Sequence, residues 1–231
     1  MKTIGLLGGM SWESTTLYYQ LINQSIKRRL GGLHSARVAL VSVDFQDVET
    51  LQHQNRWDEA GELLARAAVQ VQAAGADGLL ICTNTMHKVA PAVEAAIDIP
   101  LLHVVDATAA QARDRGHQRL GLLGTRFTME QPFYRDRFTE RYGIDMLVPD
   151  LAEREEVHRI IYEELCLGTI SEASRARMLE IIDGLMAAGA EAIVEGCTEI
   201  GMLVGEQHTQ APLYDTTAVH AEAAVTWALA P

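Results

Sequence analysis

The run AAGADG at residues 73–78 returns in the second half of the chain as AAGAEA at residues 187–192, and this repetition decides the fold. Each copy is followed by a short apolar run and then by a small polar cluster, Thr83-Asn84-Thr85 in the first half and Cys197-Thr198-Glu199 in the second. A second repeated motif supports the same duplication: GLLG at residues 5–8 returns at residues 121–124. The sequence therefore predicts two copies of one α/β unit, each carrying a hydroxyl or a thiol at the same place.

Apolar runs of strand length alternate with amphipathic runs of helix length, which is typical of parallel strands joined by helical crossovers. The helices expected at residues 56–74 and 175–188 each end in Ala-Gly-Ala, where glycine favours a helix C-terminus. Strands are expected at residues 3–7, 37–43, 78–81, 101–105, 120–123, 146–148 and 192–194. The predicted fold class is α/β, with two small domains that are each built on a mainly parallel sheet flanked by helices.

The boundary between the copies is expected at the polar stretch 115–118, just before the second GLLG. The alanine-rich segment at residues 216–230 has no counterpart in the first half, so we expect it to cross back onto the first domain. The predicted domains are residues 1–115 plus 211–231 and residues 116–210, joined by short connections.

Composition excludes several classes of function. The chain has 231 residues, 48% of them hydrophobic, and a formal net charge of -12, which disfavours nucleic acids and acidic membrane surfaces as partners. The first apolar run is too short for a signal peptide, and no later run reaches the length of a membrane span. The three cysteines have no metal-ligand spacing, so we expect free thiols in a reducing cytosol and no metal site.

The two polar clusters are the candidate site. Ligands of open parallel sheets bind beyond the carboxyl ends of the strands, and Thr83 and Cys197 each follow an expected strand there. A helix N-terminus favours an anion and lowers the pKa of a nearby cysteine. Cys197 is therefore a candidate base, and its neighbours can cradle a carboxylate. If the two copies face each other, a substrate between them meets two opposed proton-transfer groups.

Other reactive side chains have simpler interpretations. Cys82 is out of phase with the repeat and is expected in the core, and Cys166 is expected to pack within a helix at residues 153–167. A pyridoxal phosphate enzyme needs a lysine for its Schiff base, and of the three lysines only Lys88 is a candidate, with a solvated charge as its favoured role. His87 either polarises Thr83 or buttresses the start of a helix.

The N-terminal turn, GGMSWEST at residues 8–15, has Ser11 or Ser14 as a candidate N-cap of the next helix. It lacks the spacing of a nucleotide-binding loop. Its position beside the Thr83 strand end makes it a candidate wall of the same cleft.

Four motifs in order, GGMSWEST at residues 8–15, NTMH at 84–87, IYEEL at 161–165 and GCTEI at 196–200, resemble the aspartate/glutamate racemase superfamily. The resemblance is strongest to its amino-acid racemase branch, and closest to the L-aspartate/glutamate racemase-like proteins of enteric bacteria. It implies two domains related by a pseudo-twofold axis, an active site at their interface, a cytoplasmic homodimer, and inversion at the α-carbon without pyridoxal phosphate or another cofactor.

In that family, one cysteine removes the α-proton from one face of the substrate and a second cysteine returns a proton to the other face. The late cysteine corresponds to Cys197, whereas Thr83 holds the early place directly before Asn-Thr-x-His, and Cys82 comes one residue too early. The resemblance thus implies Thr83 and Cys197 as the catalytic pair, with Cys82 as a substitute for Thr83. Because a hydroxyl is far less acidic than a thiol, Thr83 is expected to be a poor base, so that the reverse direction is slow.

The substrate implied by the resemblance is L-aspartate or L-glutamate. Its carboxylate is expected to contact Asn84, Thr85 and Thr198, and the remaining substrate-binding candidates are Met10, Ser11, Gln52 and Glu199. Aspartate racemases of the family use a lysine near the helix at residues 161–164, where this chain has Glu164 or Cys166, so the side-chain preference stays open.

Two other functions stay open as well. One is another cofactor-free enzyme of the superfamily, an arylmalonate-type decarboxylase or an isomerase, which would need only Cys197. The other is a two-lobed protein that binds a sugar or an amino acid without catalysis.

Overall fold

The computed structural model describes the whole chain, Met1–Pro231. It divides into two compact units, an N-terminal unit of Met1–Val104 with Thr217–Pro231 and a C-terminal unit of Val105–Thr216. Each unit contains one parallel sheet flanked by helices, so the predicted α/β fold class is confirmed.

The chain forms seven strands and eleven α-helices. The strands are β1 (Ile4–Gly8), β2 (Val38–Ser42), β3 (Gly78–Ile81), β4 (Arg119–Gly124), β5 (Asp145–Leu147), β6 (Ala192–Gly196) and β7 (Leu213–Asp215). The helices are α1 (Trp12–Leu30), α2 (Phe45–His53), α3 (Trp57–Ala73), α4 (Ala90–Glu94), α5 (Val104–Asp114), α6 (Arg126–Glu130), α7 (Pro132–Tyr142), α8 (Leu151–Glu163), α9 (Glu172–Ala187), α10 (Ile200–Leu203) and α11 (Thr216–Leu229), with 3-10 turns at Thr85–Val89 and Leu165–Leu167. None of these helices has both the length and the apolar character needed to span a bilayer.

The sheet of the N-terminal unit has the order β2-β1-β3, with all strands parallel. Alternate residues of the central strand face opposite sides. Leu6 packs in a core with Tyr18 of α1 and Ala224 of α11, whereas Leu7 packs in a second core with Leu64 of α3. Helices therefore cover both faces, which explains why β1 is an uninterrupted buried apolar run.

The sheet of the C-terminal unit has the order β5-β4-β6-β7 and is also parallel throughout. Its first three strands repeat the order of the other sheet, with the GLLG strand in the centre and the third strand of the unit beside it. β3 and β6, which precede Thr83 and Cys197, therefore hold equivalent places in the two sheets.

One strand assignment from the sequence was wrong, and one strand was missed. Residues 101–105 do not form a strand, because Leu101 makes a single bridge to Leu79 and α5 begins at Val104. The three-residue strand β7 was not predicted. Short apolar runs carry too few residues for their periodicity to distinguish a strand from the start of a helix.

The turn after β1 requires glycine at position 9. Gly9 has a φ of 93°, and a Cβ there would lie 2.1 Å from the carbonyl oxygen of Val43. Gly75 has almost the same φ, 91°, but nothing within 4 Å of the added carbon.

We expect Gly9→Ala to lower the free energy of unfolding by at least about 3 kcal/mol, because a backbone carbonyl cannot move aside as a flexible side chain can. The matched Gly75→Ala variant should lose only the cost of a left-handed backbone, roughly 1–2 kcal/mol. Urea unfolding followed by circular dichroism measures both values. Equal losses in the two variants would contradict the role given to Val43.

Candidate active site

The predicted site residues of the first half lie at one edge of their sheet. Thr83 is half-buried two residues beyond the end of β3, and Asn84 and Thr85 beside it are buried. Because Leu7 of β1 is in register with Ile81 of β3, the turn that contains Met10 and Ser11 leaves the same edge. The sequence motifs GGMSWEST and NTMH therefore meet at the carboxyl ends of neighbouring strands.

Hydrogen bonds hold the turn after β1 rigidly. Ser11 is the N-cap of α1, and its Oγ accepts from the Ser14 amide at 3.3 Å. The hydroxyl of Thr15 accepts from the Gly9 amide at 2.8 Å and donates to the Ser11 carbonyl at 2.9 Å. Of the two capping candidates in the sequence, Ser11 is the one that caps.

Gln52 supports this edge from α2. Its side chain is buried, and its Nε2 donates to the sulfur of Met86 at 2.8 Å. Met86 lies on the 3-10 turn that follows Thr83, and it shares an apolar core with Met10. The contact joins α2 to the 3-10 turn that follows Thr83.

The two early candidates for proton transfer have different surroundings. Cys82 is fully buried in the apolar core that contains Leu6 and Tyr18, and burial raises its pKa well above the usual range. Its thiol is therefore held neutral inside the core. Thr83, the next residue, retains part of its surface exposed.

His87 contacts Thr83 through the backbone. Its Nδ1 lies 2.8 Å from the carbonyl oxygen of Thr83, and its ring is almost fully buried. The contact ties His87 to Thr83, just before the 3-10 turn, which fits the buttress of a helix start among the two roles that the sequence left open.

In the C-terminal unit, Cys197 directly follows β6 and is buried. Its Sγ donates to Oε2 of Glu199 at 2.9 Å, and the hydroxyl of Thr198 donates to the same oxygen at 2.6 Å. One carboxylate oxygen therefore organises all three residues of the predicted Cys-Thr-Glu cluster.

The electrostatics of Cys197 differ from the sequence-based expectation. Burial, the charge of Glu199 and the neighbouring Cys166 raise the pKa of the Cys197 thiol well above its usual value. The expected lowering by a helix N-terminus was wrong, because α10 is a single turn of four residues and the carboxylate of Glu199 lies nearer. The thiol is therefore neutral at rest, with its hydrogen directed at a carboxylate.

Two side chains near this thiol, Tyr134 and Thr125, were not predicted from the sequence. Tyr134 of α7 is fully buried, and burial together with Cys197 raises the pKa of its phenol. Thr125 caps α6 and leaves the edge beside Cys197, because Gly124 is in register with Gly196. Thr125 could have been predicted from the repeat, since it follows the second GLLG as Gly9 follows the first. No sequence pattern indicates Tyr134.

Glu195 is a buried carboxyl at the end of β6. It is 3% exposed, in register with Asp215 of β7, and its Oε1 has no hydrogen-bond partner. Burial, followed by the charges of Asp215 and Glu206, raises the pKa of Glu195 to about 8. The carboxyl is therefore protonated in the folded protein at neutral pH.

This raised pKa makes stability depend on pH. Glu195 favours the folded state below its unfolded pKa of about 4.5, and that contribution is lost as the pH rises towards about 8. Glu195→Gln does not titrate, so the difference in unfolding free energy between the variant and the parent should change by on the order of 3 kcal/mol between about pH 5 and about pH 8. Urea unfolding at both pH values, with the exposed Glu163→Gln as control, measures it. A difference that stays constant with pH would contradict the prediction.

The lysine considered for cofactor chemistry has another partner. Lys88 holds its ammonium 3.7 Å from the ring centroid of Trp57, and burial lowers its pKa. This is the geometry of a cation–π contact. No group of three or more histidine, cysteine or acidic side chains is arranged to hold a metal ion.

The chain as a whole is similar to several known proteins. The family model for Asp/Glu/hydantoin racemases matches residues 7–224. A crystal structure from Yersinia pestis, assigned to the Asp/Glu racemases, has a TM-score of 0.94 and 55% identity over 100% of both chains. That of an aspartate racemase homologue from Pyrococcus horikoshii has a TM-score of 0.84 and 29% identity over 99% of both chains. The broad specificity amino-acid racemase RacX of Bacillus subtilis is 19% identical over 98% of each chain.

Proposed function

Because the chain belongs to the Asp/Glu/hydantoin racemase family, we propose that it is a cofactor-independent racemase of L-aspartate or L-glutamate, with Thr83 and Cys197 on opposite faces of the α-carbon. The observation that carries the proposal is the equivalence of two strand ends. Thr83 follows β3 and Cys197 follows β6, and each of these strands lies beside the central GLLG strand of its own parallel sheet.

In the first step of the proposed reaction, Cys197 removes the α-proton of the L-enantiomer. The thiol must first lose its own proton, and Glu199 accepts a hydrogen bond from Sγ at 2.9 Å. Glu199 is therefore the base that we assign to this transfer. A positioned general base of this kind contributes about 10²–10⁴-fold to a rate.

In the second step, Thr83 donates its hydroxyl proton to the opposite face of the carbanion. Solvent then returns a proton to the Thr83 alkoxide, and Glu199 releases to solvent the proton that it took from Cys197. A hydroxyl is a weak acid, but a carbanion is a strong base, so donation in this direction is feasible. The asymmetry of the pair cannot appear in kcat/KM, which must be equal for the two enantiomers because they have equal free energies. The asymmetry appears instead in two rates measured on the L-substrate: its α-hydrogen exchanges with solvent faster than the substrate is converted to the D-enantiomer.

The remaining polar residues provide the binding groups of the proposal. Asn84 and Thr85 offer amide and hydroxyl donors to the substrate carboxylate, and Ser11 adds its hydroxyl. Thr198 joins them in this proposal when its hydroxyl turns from Glu199, to which it donates at 2.6 Å in the structure. Met10 and Gln52 support that edge from behind. Glu164 is bonded to Arg159 at 2.8 Å and to Ser174 at 2.5 Å, so it serves the scaffold rather than the substrate side chain.

None of the three cysteines forms a disulfide, and the proposed chemistry needs Cys197 as a thiol. A reducing compartment keeps such a thiol reduced. We therefore expect the protein to work in the cytoplasm, as the homodimer that the family resemblance implies, and light scattering measures the dimer.

The decisive experiment follows the α-hydrogen in heavy water. The purified protein is incubated with single L-amino acids, aspartate and glutamate first and neutral amino acids after them. Proton NMR measures loss of the α-hydrogen, and chiral chromatography measures the D-enantiomer. We expect both signals with an acidic amino acid and no release of carbon dioxide.

Each outcome has a defined meaning. Exchange and inversion of neutral amino acids alone would keep the racemase and overturn the acidic preference. Release of carbon dioxide from an arylmalonate, with no exchange of any amino acid, would favour the decarboxylase. Binding of an amino acid without exchange would overturn catalysis altogether.

A further inference from the structure

Three histidines are buried together in the N-terminal unit. His87, His103 and His220 are each at most 4% exposed, and the ring centroid of His87 lies 4.4 Å from that of His103 and 5.9 Å from that of His220. Burying a polar ring is costly unless its nitrogens are hydrogen-bonded. The contacts of these rings therefore indicate what the cluster does.

His87 bridges two backbone groups, and the bridge fixes its tautomer. The amide of Val104 donates to Nε2 at 3.3 Å, so Nε2 carries a lone pair. Nδ1 must then carry the hydrogen, which it donates to the carbonyl oxygen of Thr83 at 2.8 Å. His87 is thus a neutral imidazole between the end of β3 and the first residue of α5.

His220 has the opposite tautomer and stands beside this bridge. Its Nε2 lies 2.7 Å from the carbonyl oxygen of Leu102, which can only accept, so Nε2 carries the hydrogen. Its Nδ1 then accepts from the hydroxyl of Tyr18 at 2.9 Å. His220 is therefore held by the Leu102 carbonyl on one side and by Tyr18 of α1 on the other.

We propose that His87 is a positioning residue for Thr83: through the Thr83 carbonyl it holds the hydroxyl in the direction needed to protonate the substrate. The inference rests on the proposed racemase function. His87 acts on one half-reaction only, the delivery of the proton by Thr83, and leaves proton removal by Cys197 unaffected.

One peptide group connects His87 to Thr83. The carbonyl that His87 holds belongs to the peptide between Thr83 and Asn84, so rotation of this peptide would change the direction of the Thr83 hydroxyl. Thr83 is a weak acid, and its competence depends on correct alignment with the α-carbon. A misplacement of about 1 Å can cost about 10²-fold in rate.

Two variants separate the two hydrogen bonds of His87. The amide nitrogen of asparagine takes the place of Nδ1, so His87→Asn can still donate to Thr83 but loses Val104. The amide of glutamine takes the place of Nε2, so His87→Gln can still meet Val104 but loses Thr83. We expect His87→Gln to raise the ratio of α-hydrogen exchange to inversion of the L-substrate at least about tenfold, and His87→Asn to keep it within about twofold of the parent.

The ratio is measured on the same sample by proton NMR and chiral chromatography, so it does not depend on the fraction of protein that is folded. A merely structural role of His87 would lower exchange and inversion together and leave the ratio unchanged, which would overturn the proposal. In a Thr83→Ala background, His87→Gln should have no further effect on formation of the D-enantiomer, and an additional loss would overturn it as well.

A measurement on the unmodified protein completes the test if His87→Gln does not fold. Nitrogen-15 NMR of the imidazole distinguishes the tautomers, and we expect the hydrogen of His87 on Nδ1. A hydrogen on Nε2, or a doubly protonated ring near neutral pH, would overturn the bridge. Failure of the proposed function is distinguishable, because it would appear as no exchange in the parent protein, whereas failure of this inference leaves parent exchange intact.

Discussion

Cys197→Ser should lower the rate of α-hydrogen exchange from the L-substrate by at least about a thousandfold, the upper part of the range for loss of a positioned general base. Serine is nearly the same size, so the change removes acidity rather than volume. Its hydroxyl cannot give up a proton to Glu199 at neutral pH as a thiol can. Inversion must fall by at least the same factor, because every D-molecule formed from the L-enantiomer passes through proton removal.

The matched control is Cys166→Ser. Cys166 is half-buried on the 3-10 turn at Leu165–Leu167, outside the helix in which it was expected, and its charge interaction raises the pKa of Cys197. We expect this variant to stay within about threefold of the parent in both rates, since it leaves the Cys197–Glu199 contact in place. Equal losses in the two serine variants, or full activity in Cys197→Ser, would contradict the assignment of the base.

Binding separates the enzyme from a binding protein. Titration calorimetry of Cys197→Ser with L-aspartate should give an affinity close to that of the parent, since the proposed carboxylate contacts belong to Asn84, Thr85 and Thr198. Retained binding with lost exchange is the result expected of a catalytic thiol. Lost binding would instead make Cys197 part of the binding surface.

The repeat in the sequence predicted much of the fold because its signals are local. Both copies of Ala-Gly-Ala end a helix: α3 stops at Ala73 and α9 at Ala187, and the following Gly75 and Gly189 have φ values of 91° and 99° that suit glycine. The GLLG strands are continuous apolar runs because both of their faces are buried. These features need only the neighbouring residues, so one sequence suffices to read them.

The features that the sequence did not predict depend on distant residues. The pKa of Cys197 is raised by burial, which no local pattern reports, and a helix dipole argument applied to the four-residue α10 pointed the wrong way. The hydrogen bond from His87 to the Thr83 carbonyl could be suspected from their spacing, but its partner Val104 lies on another element. The position of each candidate side chain at a strand end follows from local sequence, whereas its protonation is a property of the fold.

The second large effect is expected at Glu199, whose charge and whose basicity act on the thiol in opposite directions. Burial is the main cause of the raised pKa of Cys197, and the charge of Glu199 raises it further. Glu199→Gln removes that charge, so the pKa of the thiol should fall, although burial keeps it above its usual value. The same change removes the oxygen that accepts the Sγ hydrogen.

We therefore expect Glu199→Gln to lower kcat by about 10²–10³-fold while thiolate formation moves to lower pH. Ultraviolet absorbance of the thiolate, as a difference from Cys197→Ala, measures the titration, and the NMR exchange assay measures the rate. Glu199→Asp is the control, because it keeps the charge and a carboxylate on a shorter side chain, so its thiol should keep the raised pKa and its kcat should fall less.

A lower kcat together with a lower pKa of the Cys197 thiol would identify Glu199 as a base rather than as an electrostatic neighbour. If Glu199 acted only through its charge, the glutamine variant would have more thiolate at neutral pH and would be faster than the parent. If Glu199 only packed against Thr198, neither the titration nor the rate would change beyond the loss of stability. A slower enzyme with a more acidic thiol fits neither of those roles. That result requires the Glu199 carboxylate to act twice: it opposes ionisation of Cys197 at rest, and it receives the proton of Cys197 during turnover.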